Sequence, residues 1–292
     1  MKQFTASEKI LRTLMFVLLG GITFVMIYPF YYVIIYAFSS SDATISSNIV
    51  FWPIKPTVAA FLRLFKMKTI WTSYCNSILV TGVGTVLAVI LSILIAYPLS
   101  LHRTKGRNVI SMMLFFTMLF SGGMIPNYLL IKELGLLNST WSLILPGMGS
   151  AYNILILRNF FQAIPAELEE SASMDGASQL RVLVQIILPV SLAGLAVQAM
   201  FYGVGYWNAY FDCVLYIDDV NKLTLQAYLR TLMNTSSLSA TAGAADSVSN
   251  SVLSEETMRM AAITAAVIPV LIVYPFLQKY YVKGVIVGSV KG

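Results

Sequence analysis

Apolar residues in this chain neither alternate nor form narrow stripes. They fall in long runs separated by short polar segments. Six stretches free of Asp, Glu, Lys and Arg meet or approach the roughly 20 residues needed to cross a hydrocarbon core. They are 13–41, 69–101, 108–131, 134–157, 182–211 and 260–278. Backbone polar groups in lipid must be satisfied internally, which makes each run a helix. The pattern therefore predicts an all-α membrane protein: one transmembrane domain over 1–292, with six transmembrane helices. Lys2, Lys9 and Arg12 precede the first run. That run is far longer than the roughly 7–15 residues of a signal-peptide core, so it is read as an uncleaved span. Ser121 to Pro126 (SGGMIP) breaks the third run near its end, since Pro removes a donor and Gly is permissive. The long polar connection 212–259, Ser-, Ala-, Thr- and Gly-rich from Asn234 to Ser254, reads as a flexible external segment.

One polar loop, Arg158 to Arg181, carries more information than the rest. Pro165 suits a helix start, and Glu167, Glu169 and Glu170 load its first turns with the negative charge a helix dipole favours. Asp175 and Gly176 end it, Gly by taking a left-handed closing conformation. A helix over 166–175 is predicted. Ser178 then caps the next helix, which becomes the fifth span and is bent by Pro189.

Composition agrees with the runs. The chain is 58% hydrophobic and 11% charged, against about 25% charge in a soluble domain. The net charge of +6 has no clustered basic face of the kind nucleic acid requires. With both termini in the cytoplasm, 11 of the 19 Lys and Arg lie inside, three of them in His102 to Arg107 (HRTKGR), as the positive-inside rule asks. Against this stand Arg63, Lys66 and Lys68, which a short interfacial helix would snorkel. Cys75 and Cys213 both fall near outer span ends, so a disulfide is conceivable; two unrelated small apolar residues is the plainer reading.

Several chemistries are missing. Every run reaches membrane length without an ionisable residue, which argues against a proton-driven carrier. No phosphate loop and no zinc-protease motif is present, and the single His102 offers no catalytic set. No metal site is expected. On the residues alone, a subunit of a larger transport machine and a stand-alone carrier or channel both stay open.

The spacing in the polar loop adds a resemblance. Glu170, Ser171 and Ala172, then Gly176, then Ile186, Leu188 and Pro189 follow the E-A-A-x3-G-x9-I-x-L-P signature of the membrane subunits of bacterial ATP-binding-cassette (ABC) importers, with Ser171 in place of Ala. The chain resembles their MalG-type, carbohydrate-importing branch, in particular the LplC/YtcP-like permeases, through Phe120–Gly147, Arg158–Ala177, Phe201–Ile217 and the C-terminal stretch from Met258. The resemblance implies a type I ABC importer permease fold in the bacterial plasma membrane, with 166–175 as a cytoplasmic coupling helix. Glu169, Glu170, Ser171, Ala172, Asp175, Gly176, Leu188 and Pro189 would serve ATPase coupling. It implies as partners a second homologous permease, two ATPase subunits that bind ATP and Mg, an external solute-binding protein, an oligosaccharide substrate and the lipid bilayer. This chain itself would bind no cofactor and catalyse nothing. In the family a tail such as Lys283–Gly292 can reach the ATPase; a solvated end is the other reading.

For the substrate, the aromatic and amide cluster after the Pro189 bend stands out. Tyr202, Tyr206, Trp207 and Asn208 combine ring faces for sugar C–H surfaces with hydrogen-bonding groups for hydroxyls. Ordinary helix packing and an interfacial aromatic belt compete with that reading.

Overall fold

In the computed structural model, residues 6–40, 52–53, 55–241 and 257–275 are described. The tail Lys283–Gly292, the end of the sixth run and most of the Ser/Ala-rich stretch lie outside them. All regular structure among the described residues is helical: α1 Ala6–Ala37, α2 Ala59–Lys66, α3 Lys68–Ser100, α4 Arg107–Leu119, α5 Met124–Glu133, α6 Trp141–Ile144, α7 Ala151–Gln162, α8 Ala166–Met174, α9 Gln179–Val190, α10 Leu192–Asn208, α11 Phe211–Tyr216, α12 Leu225–Thr241 and α13 Thr257–Pro275. Three of these, α1 (from Ser7), α3 and α13, are long and apolar enough to cross a membrane singly. Counting the bent pairs α4–α5 and α9–α10 as one span each makes five.

The chain gathers into two compact units, 1–67 with 231–267, and 68–230 with 268–292. In the first, α1 exposes apolar side chains from Ile10 to Phe30, as a lipid-facing helix does. Its far end is tied to α2 by the Thr57 N–H donating to the Phe38 carbonyl at 2.8 Å and by the Phe38 and Phe61 rings at 4.8 Å. The amphipathic α2 buries Leu64 and carries Arg63 and Lys66 in its last turn, whereas Lys68 begins α3.

In the second unit, α3 is the central post, 33 residues and about 50 Å at about 1.5 Å per residue. It buries Ser73, Ser77, Val80, Gly84, Ala88, Ser92 and Ala96, a stripe of mostly small residues at helical spacing. Small residues let helices approach where no hydrophobic drive separates helix from lipid, and α7 and α10 pack along this stripe.

Three runs depart from single helices. The third breaks where SGGMIP sits, and α4 and α5 lie at 110°. The fourth, 134–157, is not one helix. Gly135 and Asn138 take positive φ, α6 is a single turn, and Pro146, Gly147 and Gly149 interrupt the chain before Ser150 caps α7 by accepting from the Asn153 N–H. In turn α7 runs past the expected end through Arg158, whose Nε donates to the Leu99 carbonyl at 3.2 Å. Helices here end at caps and breakers, not at charges. The fifth run bends by 83° between α9 and α10.

The connection 212–259 is also more structured than its composition predicts. Residues of α11 and the start of α12 are buried, Cys213, Tyr216, Leu225, Ala227 and Leu229 among them. Helix α12 continues to Thr241 because no Gly or Pro interrupts it before Gly243. Both cysteines are free, Cys75 exposed and Cys213 buried.

Candidate functional site

Pro165 precedes the first residue of α8 with extended ψ of 131°, and Glu167 and Glu169 occupy the first turn. At the other end Gly176 takes φ of +79°. Its N–H donates to the Ser173 carbonyl at 3.1 Å, and the Ala177 N–H donates to the Ala172 carbonyl at 3.0 Å. These paired bonds are a Schellman closure, which needs a left-handed residue at this position. No residue of α8 is buried. Glu170, Ser171 and Asp175 are exposed, Ala172 packs lightly against a core that includes Tyr97, Leu157 and Phe161, and Met174 is 85% exposed.

The chain then re-enters helix at Ser178, whose hydroxyl accepts from the Arg181 N–H. Leu183–Ile187 winds as a π-helix. Pro189 has no N–H to give the ladder and its ring crowds the preceding turn, which accounts for the wider winding just before it. The helix resumes over Leu188–Val190 and breaks at Ser191, two residues beyond Pro189. Leu183 and Ile187 are buried, Leu188 partly so, and Pro189 is exposed. The π-helical stretch thus lies between the short helix α8 and the 83° bend.

An interaction absent from the sequence reading crosses this site. Arg103, in the HRTKGR loop after α3, donates from Nη2 to a carboxylate oxygen of Glu169 and to the side-chain carbonyl of Gln179. The Tyr97 hydroxyl reaches the same Gln179 oxygen at 3.5 Å. A cavity of about 630 Å³, lined in part by Tyr97, Arg103, Phe161, Ile164 and Glu169, opens beside α8. Arg103 entered the sequence reading only as a positive charge. The available signal was an arginine-bearing loop and an acid-loaded helix in one chain, with nothing to say that they meet.

The aromatic cluster on α10 divides. Tyr202, Tyr206 and Trp207 are buried, whereas Asn208 at the end of the helix is exposed. The Tyr206 hydroxyl donates to the Ile144 carbonyl at 2.8 Å, and the Tyr202 hydroxyl pairs with the Ser92 hydroxyl at 2.8 Å. The Tyr206 ring is held between two glycines. A Cβ on Gly84 would lie 2.8 Å from it, and one on Gly147 2.9 Å. Within this chain Tyr202 and Tyr206 bond to other segments, and Trp207 is buried.

Beyond α10, Asp212 is partly buried and burial pushes its carboxyl above the usual range. A folded pKa raised above the unfolded one means stability from this site is fully present at low pH and is lost as pH rises through the folded pKa. Asp212→Asn should therefore raise Tm at pH 7 by about 1 °C, the scale of a sub-kcal/mol change in a chain of this size. The gain should disappear below the ordinary carboxylate range, where the wild-type group is itself neutral. Thermal unfolding in detergent at pH 7 and pH 3.5 checks this.

Residues 1–287 match the family described as binding-protein-dependent transport system inner membrane component. The chain is 43% identical to Protein LplC of Bacillus subtilis over 274 residues, 94% of this chain and 92% of the relative. It is 42% identical to the polygalacturonan/rhamnogalacturonan transport system permease protein YtcP of the same organism, over 92% of this chain and 93% of the relative. Its fold superposes with a TM-score of 0.85 on a chain of a bacterial ABC transporter involved in import of the acidic polysaccharide alginate, at 32% identity, covering 96% of this chain and 100% of the other.

Proposed function

We propose, for a chain that belongs to the family of binding-protein-dependent transport system inner membrane components, that it forms half of the pore of an ABC importer for an oligosaccharide. It is a transport subunit of the inner membrane and not an enzyme. Its six spans are α1, α3, the pair α4–α5, α6 with α7 in series, the pair α9–α10, and α13, in a single permease domain with both termini cytoplasmic. A second, homologous permease completes the pore. Two ATPase subunits bind ATP and Mg, and an external binding protein delivers the sugar.

The observation that carries this reading is α8: a helix of nine residues with none buried, closed by Gly176 and followed by a π-helical stretch before a bend. A helix that leaves its own unit so little covered suits a partner's cleft. Glu170, Ser171, Asp175 and Met174 would meet the ATPase. Glu169 and Ala172 would hold the helix to this chain, and Gly176, Leu188 and Pro189 would carry its displacement into α10. ATP closes the ATPase pair, α8 moves with it, and α10 turns about the π-helical stretch to open the pore outward. This is coupling through one element biased at two sites. Asn208 is the member of the aromatic and amide cluster with an open side chain and would touch the sugar. Tyr202, Tyr206 and Trp207 would act from behind by fixing α10.

Two of the relatives above are described by acidic polysaccharides, which makes uronate oligomers the first probes. Reconstitution of this chain with a partner permease, ATPases and a binding protein should give uptake of a labelled oligogalacturonide, oligoalginate or neutral oligosaccharide only with Mg-ATP on the ATPase side. Uptake by this chain alone, without ATP, would instead make it a stand-alone carrier.

A further inference from the structure

Helix α8 is joined to its unit covalently at both ends and otherwise sparsely. None of its residues is buried, Ala172 alone among them packs against the neighbouring core, and the 630 Å³ cavity lies between it and the ends of α3 and α7. Arg103 spans that gap. One guanidinium nitrogen serves Glu169 on α8 and Gln179 at the start of α9, while Tyr97, in the last turn of α3, shares the Gln179 oxygen. The main chain around Arg103 leads directly out of α3, three residues past Ser100.

The Arg103 side chain is 55% exposed and that of Glu169 16%. An ion pair whose arginine is half open to water adds only modest static stability, so keeping the fold together accounts for part of it at most. A single guanidinium nitrogen holding two acceptors from two helices does something else: it fixes their relative position, and a lysine's more strongly hydrated ammonium on a flexible stem is a weaker substitute.

We propose that Arg103 is a positioning residue for energy coupling, delivering the displacement of α8 across space to the end of α3 as well as along the chain into α9. The inference rests on the importer reading above and adds a second arm to it. The fifth span would be driven through Gly176 and the second span through Arg103. Since α10 packs along α3, both arms would act on one helix pair.

The test uses the full importer in proteoliposomes, with Arg103→Glu, Glu169→Arg, the double charge swap and Arg103→Lys. The quantity read is ATP hydrolysed per molecule imported of the oligosaccharide that the wild type takes up. Each single reversal should raise that ratio about tenfold, within the usual range of coupling between sites. The double swap should return it to within about twofold of wild type, since the pair is restored with its charges exchanged. Arg103→Lys should fall between, because a flexible, strongly hydrated ammonium holds the two acceptors less rigidly than the guanidinium does. A wild-type ratio in both single reversals, or a double swap as uncoupled as the singles, overturns the proposal. ATP-independent uptake by the wild type overturns the importer reading itself, which is a different result.

Discussion

Tyr206→Ala should destabilise the protein by about 3–5 kcal/mol, the cost of emptying a large aromatic site in a packed core. The ring fills the space between Gly84 of α3 and Gly147 of the turn before α7, and its hydroxyl holds the Ile144 carbonyl. Removing it would leave a void where three segments of the chain meet. Tyr206→Phe, which loses the hydrogen bond alone, should cost about 1 kcal/mol. The same slot can be tested from the other side. Gly84→Ala forces a methyl to 2.8 Å from a ring that Gly147 blocks from behind, an overpacking worth about 1–3 kcal/mol. Gly82→Ala, two residues away on the same helix, meets nothing within 4 Å and should be neutral or stabilising by up to about 1 kcal/mol from helix propensity. Thermal stability in detergent separates the pair: equal effects of Gly82→Ala and Gly84→Ala would contradict the packing described.

Gly176→Val should cut import about tenfold while the complex still assembles. The site has open space around it; a Cβ there meets nothing within 4 Å. Crowding is therefore not what forbids a side chain. The φ of +79° is, since an L-residue in the left-handed region loses about 1–2 kcal/mol, and a β-branched one is worst placed to accept it. The Schellman bonds to Ser173 and Ala172 would loosen, and α8 would no longer lead rigidly into α9. Gly176→Asn, which tolerates this conformation, should stay close to wild type. The measurement is uptake and ATP hydrolysis in the same vesicles. Equal import by the Val and Asn variants would show that the left-handed closure does not matter.

Much of the polar loop 158–181 was legible in order along the chain. Glu167 and Glu169 at the start, Gly176 at the end and Ser178 as the next cap are local signals, and each acts over one turn of helix. Pro189 likewise announced a disturbed fifth span. It did not announce that the disturbance would be a π-helical stretch before it and a break at Ser191 after it, since these depend on how α9 and α10 settle against α7 and α3. Arg103 was invisible as a partner for a related reason. It stands 66 residues from Glu169, and neither residue's neighbours in the chain hint at the other.

The aromatic and amide cluster on α10 shows the reverse case. Tyr202, Tyr206, Trp207 and Asn208 share seven residues of sequence, and nearness in the chain suggested one surface. A helix turns about 100° per residue, so Tyr202 and Tyr206, four apart, share a face while Asn208 stands elsewhere. Which of those faces is buried depended on Gly84, Gly147 and Ser92, small residues whose message is read only once another helix lies against them. The fourth span was misjudged by counting charges, because a helix stops where its backbone is capped or broken. Gly135, Asn138, Pro146 and Gly149 did that well inside the charge-free run.

What the amino-acid order determined by itself was solvent and local form: helices in lipid, a polar loop with its own start and stop signals, and the signature that placed the chain in its family. These follow from hydropathy over about 20 residues and from hydrogen bonds within one turn. What only the tertiary structure decided was which residues meet. The Tyr206 slot between two glycines and the Arg103 link from α3 to α8 and α9 both join segments far apart in sequence, and such contacts come from helix packing that no local pattern encodes.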